Sequence, residues 1–150
     1  GALDAWLVIR GIKTLPLRME QHQKNAFAIA KWLQEQPRVQ YVLYPGLENH
    51  PGYEINKAQT TGFGGMISFA VDSAETARQI LEGVKLIKFA ESLGGTESLI
   101  TYPIRQTHTD LTAEECTEKG ITDCLLRFST GIEATQDLID DLAQAFAAVE

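Results

Sequence analysis

Residues 91–103 read ESLGGTESLITYP, and the rest of this sequence is arranged around them. Two adjacent glycines, Gly94 and Gly95, stand in a run of small and hydroxyl-bearing residues that leads into an apolar segment typical of a strand. Glycine lets the backbone approach a partner closely, and Ser and Thr supply short hydrogen-bonding groups beside it. The stretch is typical either of a ligand contact or of a tight turn between strands, and a turn is the commoner use of paired glycines.

The bulk composition indicates one acidic globular domain. Of the 150 residues, 44% are hydrophobic and 22% are charged, and no shift in composition divides the chain. The net charge of -7, without a cluster of Lys and Arg, argues against a nucleic-acid-binding surface. No apolar run approaches the roughly 20 residues of a membrane span, and no signal peptide opens the chain. We therefore expect neither a nucleic acid nor a membrane as a partner.

The cysteines and histidines form no metal or disulfide pattern. Cys116 and Cys124 are the only two cysteines, which favours a reduced, cytoplasmic protein. The three histidines lack the spacing of metal ligands and are interpreted as surface or structural residues: His22, His50 and His108. The chain opens with Gly1 and runs at once into an apolar segment, which indicates a fragment of a longer protein.

Apolar spacing predicts two helices in the first 36 residues. Residues 3–9 form a short apolar helix or extended segment, closed by Gly11, that must dock on something to cover its apolar side chains. A longer helix begins at Thr14 and Pro16, which suit a cap and a first turn, and ends before Pro37. Its apolar stripe is expected to pack in the core and comprises Met19, Ala26, Ile29 or Ala30, and Leu33.

Strands and helices alternate irregularly through the remainder. Strands are predicted at 39–44, 66–71, 86–89, 98–102 and 125–130, and helices at 53–59, 73–81, 113–119 and after residue 131. Two helix starts carry capping-box patterns, Asp72 with Glu75 and Thr112 with Glu115. Three acids near the start of the last helix suit its dipole: Asp137, Asp140 and Asp141. Several loops are too short for parallel crossovers, so we expect an α+β two-layer sandwich with a mainly antiparallel sheet backed by helices.

Arg127 places a charge in the middle of an apolar strand. Strand alternation puts it on the face shared with Leu125 and Ser129. A partly buried guanidinium needs an anionic partner, because an unpaired charge in apolar surroundings is costly. Either a neighbouring Glu or a ligand carboxylate or phosphate supplies that partner, and charge alone favours a structural ion pair.

Five segments of the chain occur in the same order in the transsulfuration enzymes. These are the pyridoxal-phosphate enzymes of Cys and Met metabolism, which include cystathionine γ-synthase, γ-lyase and β-lyase and methionine γ-lyase. The chain resembles them over nearly its whole length, and several ordered motifs are more specific than any one alone. The segments are residues 10–15, 44–47, 62–66, 91–99 and 126–133.

The resemblance implies that residues 1–150 are the C-terminal, substrate-carboxylate-binding small domain of a fold-type I pyridoxal-phosphate enzyme. In that family a preceding N-terminal domain, absent from this chain, binds pyridoxal 5'-phosphate through a Schiff-base lysine. Lys13 matches a position well after that lysine, so this fragment alone is expected to be an inactive part of a C–S lyase or transferase. The resemblance also implies that the full-length enzyme is a homotetramer and acts on a sulfur amino acid.

The same resemblance assigns roles to four residues. The family's substrate-carboxylate arginine falls on Arg127, and the serine that helps to hold that carboxylate falls on Ser92. Glu91 resembles the γ-synthase and γ-lyase pattern, in which an acid faces a substrate amino group, and Leu93 differs from the Trp typical of β-lyases. We therefore rank γ-replacement or γ-elimination above β-elimination, with a solvent-exposed loop charge as the alternative for Glu91.

Two functions of other classes stay open. The chain could be a stand-alone amino-acid-binding or regulatory module that uses Arg127 and Ser92, or an oligomerisation module without a ligand of its own.

Overall fold

The computed structural model of the chain describes residues 1–149. It contains helices α1 (Ala2–Ile12), α2 (Leu15–Gln34), α3 (Tyr53–Gln59), α4 (Ala74–Gly83), α5 (Ala113–Glu118) and α6 (Thr135–Ala147), and a short 3-10 turn (Pro103–Arg105). The strands are β1 (Val39–Leu43), β2 (Met66–Val71), β3 (Lys88–Phe89), β4 (Leu99–Thr101) and β5 (Leu125–Ser129). Within residues 1–149, no helix has the length and apolar character needed to cross a bilayer.

The five strands form one mixed sheet in the order β1-β2-β5-β4-β3. Strand β2 pairs antiparallel with β1 and with β5, and β5 pairs antiparallel with β4. Only the short edge strand β3 runs parallel to its neighbour. The predicted α+β class with a mainly antiparallel sheet is confirmed, and β5 lies at the centre of the sheet.

Helix α6 packs on both α2 and α4, and the three helices cover one face of the sheet. Alternate residues of the strands point to that face and are fully or almost fully buried: Ile67, Phe69, Ile100, Leu126 and Phe128. Each such side chain contributes about 1.5–3 kcal/mol through burial of apolar surface. The core therefore lies between the helices and one sheet face, and the side chains between these positions belong to the other face.

Two predicted helix boundaries are wrong. Helix α1 continues through Gly11 to Ile12, so this glycine does not end the helix. The cap of α4 is Ser73, whose hydroxyl accepts a hydrogen bond from the Thr76 backbone N–H at 3.0 Å. Asp72 lies one residue too early for that bond and instead lies 3.5 Å from Arg38. The capping box of Thr112 and Glu115 is confirmed.

The first helices expose much of their apolar surface. Helix α1 has no buried residue, and the buried residues of α2 begin only at His22. Met19, predicted to lie in the core, is 42% exposed, although the remainder of the predicted α2 stripe is buried. The exposed side chains here are Leu3, Trp6, Leu7, Val8, Ile9, Ile12, Leu15, Leu17 and Met19. An apolar surface of this extent is typical of a contact surface.

Candidate functional site

Arg127 lies in the middle of the central strand. Its cross-strand neighbours are Ser68 on β2 and Thr101 on β4. Because Leu126 and Phe128 point into the core, the Arg127 side chain lies on the sheet face opposite the helices, and it is half-buried there. The strand position predicted for Arg127 is confirmed.

Arg127 has no internal anionic partner in the part of the chain that the structure describes. Its two cross-strand neighbours are neutral, and residues 1–149 provide it with no hydrogen bond or ion pair. The structural ion pair favoured by charge alone is therefore not formed among these residues. A guanidinium carries five N–H donors in a planar fork, so this side chain is suited to a carboxylate or phosphate.

Three hydrogen bonds hold the loop at residues 91–93 over the same sheet face, one of them from the Ala90 backbone N–H to the Ile100 carbonyl at 3.1 Å. Before the loop, the Thr101 hydroxyl donates to the Ala90 carbonyl at 2.9 Å. After it, the Gly94 backbone N–H donates to the Ser129 hydroxyl at 2.9 Å. Thr101 is the β4 partner of Arg127, and Ser129 is two residues further along β5, about 6.6 Å away at the rise of a strand. The structure thus brings the predicted loop residues to the neighbourhood of Arg127.

Ser92 has an unusual backbone conformation. Its φ of 123° makes it the only residue other than glycine with positive φ among residues 1–149. Such a conformation costs about 1–3 kcal/mol and persists only where the surrounding structure holds it. Strained residues of this kind cluster at ligand-binding sites, and Gly94, with φ of 74°, completes the bend. Glu91, Ser92 and Leu93 are all exposed, Leu93 to 56%.

A second group of hydrogen bonds joins the later part of this loop to the chain after β5. The Ile132 N–H donates to the Thr96 carbonyl at 2.9 Å. The Ser98 N–H and hydroxyl donate to the two Glu133 carboxylate oxygens at 2.7 and 2.9 Å, and the Gly131 N–H donates to the Ser98 hydroxyl at 2.8 Å. A side chain at Gly131 would collide with the backbone of residues 96 and 97. The loop and the segment after Arg127 therefore form one connected unit.

Helix α2 supports this unit from the core side. The buried Asn25 side chain donates to the carbonyls of Gly131 and Glu133 at 3.0 and 2.9 Å. The ring of His22, another buried residue of α2, bonds the Thr130 carbonyl. His22 is thus structural, as predicted. The sequence does not predict Asn25, Ser129 and Glu133 as site residues. Ser129 and Glu133 lie in the family-like segment 126–133, and Asn25 has no such signal.

Comparison of the sequence with models of known protein families identifies the family to which the chain belongs. The model of the Cys/Met metabolism PLP-dependent enzymes matches residues 1–147. This chain belongs to that family. The cystathionine γ-lyase of Bacillus subtilis is 52% identical over 145 residues, which are 97% of this chain and 38% of the relative. The cystathionine γ-synthase of Haemophilus influenzae is 52% identical over 144 residues, 96% of this chain and 35% of the relative.

The solved structures agree with this assignment to the Cys/Met metabolism family. Cystathionine γ-lyase from Lactobacillus plantarum, complexed with L-serine, matches with a TM-score of 0.92 and 42% identity. The match covers 96% of this chain and 38% of that structure. The C-terminal small-domain fold expected from the resemblance is therefore confirmed. The chain spans little more than a third of the length of these relatives.

Family membership implies pyridoxal phosphate as the cofactor. A pyridoxal-phosphate enzyme needs a lysine that reaches the cofactor within an enclosed site. All seven lysines of this chain are exposed: Lys13, Lys24, Lys31, Lys57, Lys85, Lys88 and Lys119. One of them, Lys31, lines a surface cavity beside Gly46 and Leu47, and no lysine among residues 1–149 is buried.

Proposed function

We propose that this chain is the substrate-carboxylate-binding domain of a pyridoxal-phosphate-dependent transsulfuration enzyme. Arg127 binds the α-carboxylate of an amino acid, and Ser92 completes the clamp from the adjacent loop. The observation that carries this proposal is the half-buried guanidinium on the central strand, which lacks an internal partner among residues 1–149 and lies beside a strained, tethered loop.

Arginine suits this role for a geometric reason. A guanidinium binds a carboxylate through two parallel N–H···O bonds, so it sets the orientation of the amino acid as well as its affinity. In pyridoxal-phosphate enzymes the cofactor supplies the electron sink, and the protein must fix which bond at Cα faces it. The rigid backbone of β5 between β2 and β4 keeps Arg127 in a constant position for that task.

The loop residues refine the proposed reaction. Glu91 is exposed one position before Ser92, where its carboxylate can face a substrate amino group, as in a γ-replacement or γ-elimination. Leu93 offers an apolar side chain where β-lyases tend to carry Trp. We therefore propose γ-synthase or γ-lyase chemistry on a sulfur amino acid for the full-length enzyme.

The proposal assigns the cofactor to an N-terminal domain of the whole protein. Three observations support it: the exposed position of every lysine, the one-third coverage of the relatives, and the uncovered apolar side chains of α1 and early α2. In a homotetramer of the full-length enzyme, that apolar surface would be covered by the N-terminal domain or by a neighbouring subunit.

The test is steady-state turnover of L-cystathionine by the full-length holoenzyme with Arg127→Ala. Loss of even one hydrogen bond to a charged group costs about 1.5–3 kcal/mol, so kcat/KM should fall by at least about 10- to 150-fold. Arg78→Ala is the matched control, because Arg78 lies on the exposed surface of α4 and forms its ion pairs with Glu75 and Glu82 of that helix. Turnover by the Arg127→Ala enzyme equal to that of the control would exclude the carboxylate clamp.

The stand-alone binding module is separated by titrating the 150-residue chain itself with L-cystathionine in a calorimeter. Because the proposed site is completed by another domain, we expect no saturable heat. Saturable binding would instead favour the stand-alone module.

A further inference from the structure

We infer that Ser129 is a positioning residue for the proposed carboxylate site. Its buried hydroxyl fixes the loop that carries Glu91 and Ser92 in place beside Arg127. This inference rests on the proposed function and adds to it a residue that contacts neither substrate nor cofactor.

The geometry makes Ser129 the link between the two halves of the clamp. It is 3% exposed, and its hydroxyl accepts the Gly94 backbone N–H at 2.9 Å. It lies two residues after Arg127 on the same strand and the same face. Arg127 and Ser129, which holds the loop, therefore lie on the same short segment of β5. In that segment Ser129 pairs with Met66 on β2 and with Leu99 on β4.

The loop depends on this anchor because few others hold it. Among residues 1–149, positions 91–93 make no hydrogen bond of their own. They are held from Ala90, whose carbonyl accepts from the Thr101 hydroxyl and whose N–H donates to the Ile100 carbonyl at 3.1 Å, and from Gly94, through Ser129. The contacts of Thr96 and Ser98 with the segment after β5 hold the loop further along.

The hydrogen bond from Gly94 to Ser129 helps to hold Ser92 at its positive φ. A residue other than glycine keeps such a backbone conformation only when its surroundings impose it. Without the Ser129 hydroxyl, the chain after Ser92 is free to relax, and the Ser92 side chain leaves the position from which it helps to hold a carboxylate. The sheet itself is retained, because the backbone pairing of Ser129 does not involve its side chain.

The experiment uses the full-length holoenzyme and measures Kd for L-serine and for L-serinamide, which lacks the negative charge of the carboxylate. Loss of one neutral hydrogen bond corresponds to about a 2- to 12-fold change in affinity. We expect Ser129→Ala to weaken L-serine binding by that factor and to leave L-serinamide binding unchanged. Ser129→Thr keeps the hydroxyl and should restore most of the L-serine affinity.

Ser73→Ala is the matched control. The Ser73 hydroxyl also accepts a hydrogen bond from a backbone N–H, that of Thr76, at 3.0 Å. Ser73 caps α4, which packs on the sheet face opposite Arg127. It should lower thermal stability without changing the ratio of the two Kd values. An equal loss for L-serine and L-serinamide in Ser129→Ala, or no loss at all, would overturn the inference.

Arg127→Ala measured in the same assay separates the two proposals. If it weakens L-serine binding while Ser129→Ala does not, only the role of Ser129 fails. If Arg127→Ala leaves L-serine binding unchanged, the carboxylate clamp itself fails.

Discussion

Glu133 offers the sharpest test of how the site is held together, through Glu133→Ala. Its carboxylate accepts two hydrogen bonds from the fully buried Ser98, at 2.7 and 2.9 Å. Hydrogen bonds to a charged group contribute about 1.5–3 kcal/mol each. Because the two bonds share one half-buried carboxylate, we expect a joint loss of about 2–4 kcal/mol in the free energy of unfolding.

The assay is urea denaturation of the 150-residue chain followed by circular dichroism, with the m-value compared between variants to check that unfolding stays two-state. Glu54→Ala, at an exposed position on α3, is the control and should leave the midpoint unchanged. A Glu133→Ala protein as stable as the control would refute the claim that the contacts of Ser98 hold the loop.

Two further predictions concern groups outside the site. Asp141 is 7% exposed and accepts the backbone N–H groups of residues 85–87 at 2.8–2.9 Å, so Asp141→Asn should lower stability by about 1.5–3 kcal/mol and speed hydrogen exchange at those amides. Burial raises the pKa of Tyr44 to about 12. The folded state is stabilised by the neutral phenol fully below the unfolded pKa of about 10, and this stabilisation is lost as pH rises towards 12. In Tyr44→Phe, the free energy of unfolding should therefore decrease less between pH 10 and pH 12 than in the unsubstituted protein.

Local patterns were enough to predict most of the fold. The apolar runs of β2 and β5 predict strands, and the alternation of side chains along a strand places Arg127 and Ser129 on one face. Thr112 and Glu115 were predicted correctly because a capping box depends only on neighbours three residues apart.

The errors arise where contacts distant in sequence decide. Met19 has a helical apolar spacing, but the early turns of α2 have no buried residue. The sequence places Asp141 as an acid that suits the dipole of α6, but it does not predict that Asp141 accepts hydrogen bonds from backbone amides 54–56 residues earlier in the chain. A local pattern carries no information about such partners.

The site shows the same division. Family resemblance assigned Arg127 and Ser92, but the supports of the loop depend on side chains that meet only in three dimensions. Ser129 joins Gly94 over a separation of 35 residues, and Asn25 joins Glu133 over 108. Nothing in a window of ten or twenty residues distinguishes these side chains from ordinary polar residues.

The most direct test of the central claim is the preference of the full-length holoenzyme for L-serine over L-serinamide, measured as the ratio of their Kd values before and after Arg127→Ala. Clamping of a carboxylate by Arg127 predicts a preference of about 10- to 150-fold that the substitution abolishes. A preference that survives the loss of Arg127 would contradict the account.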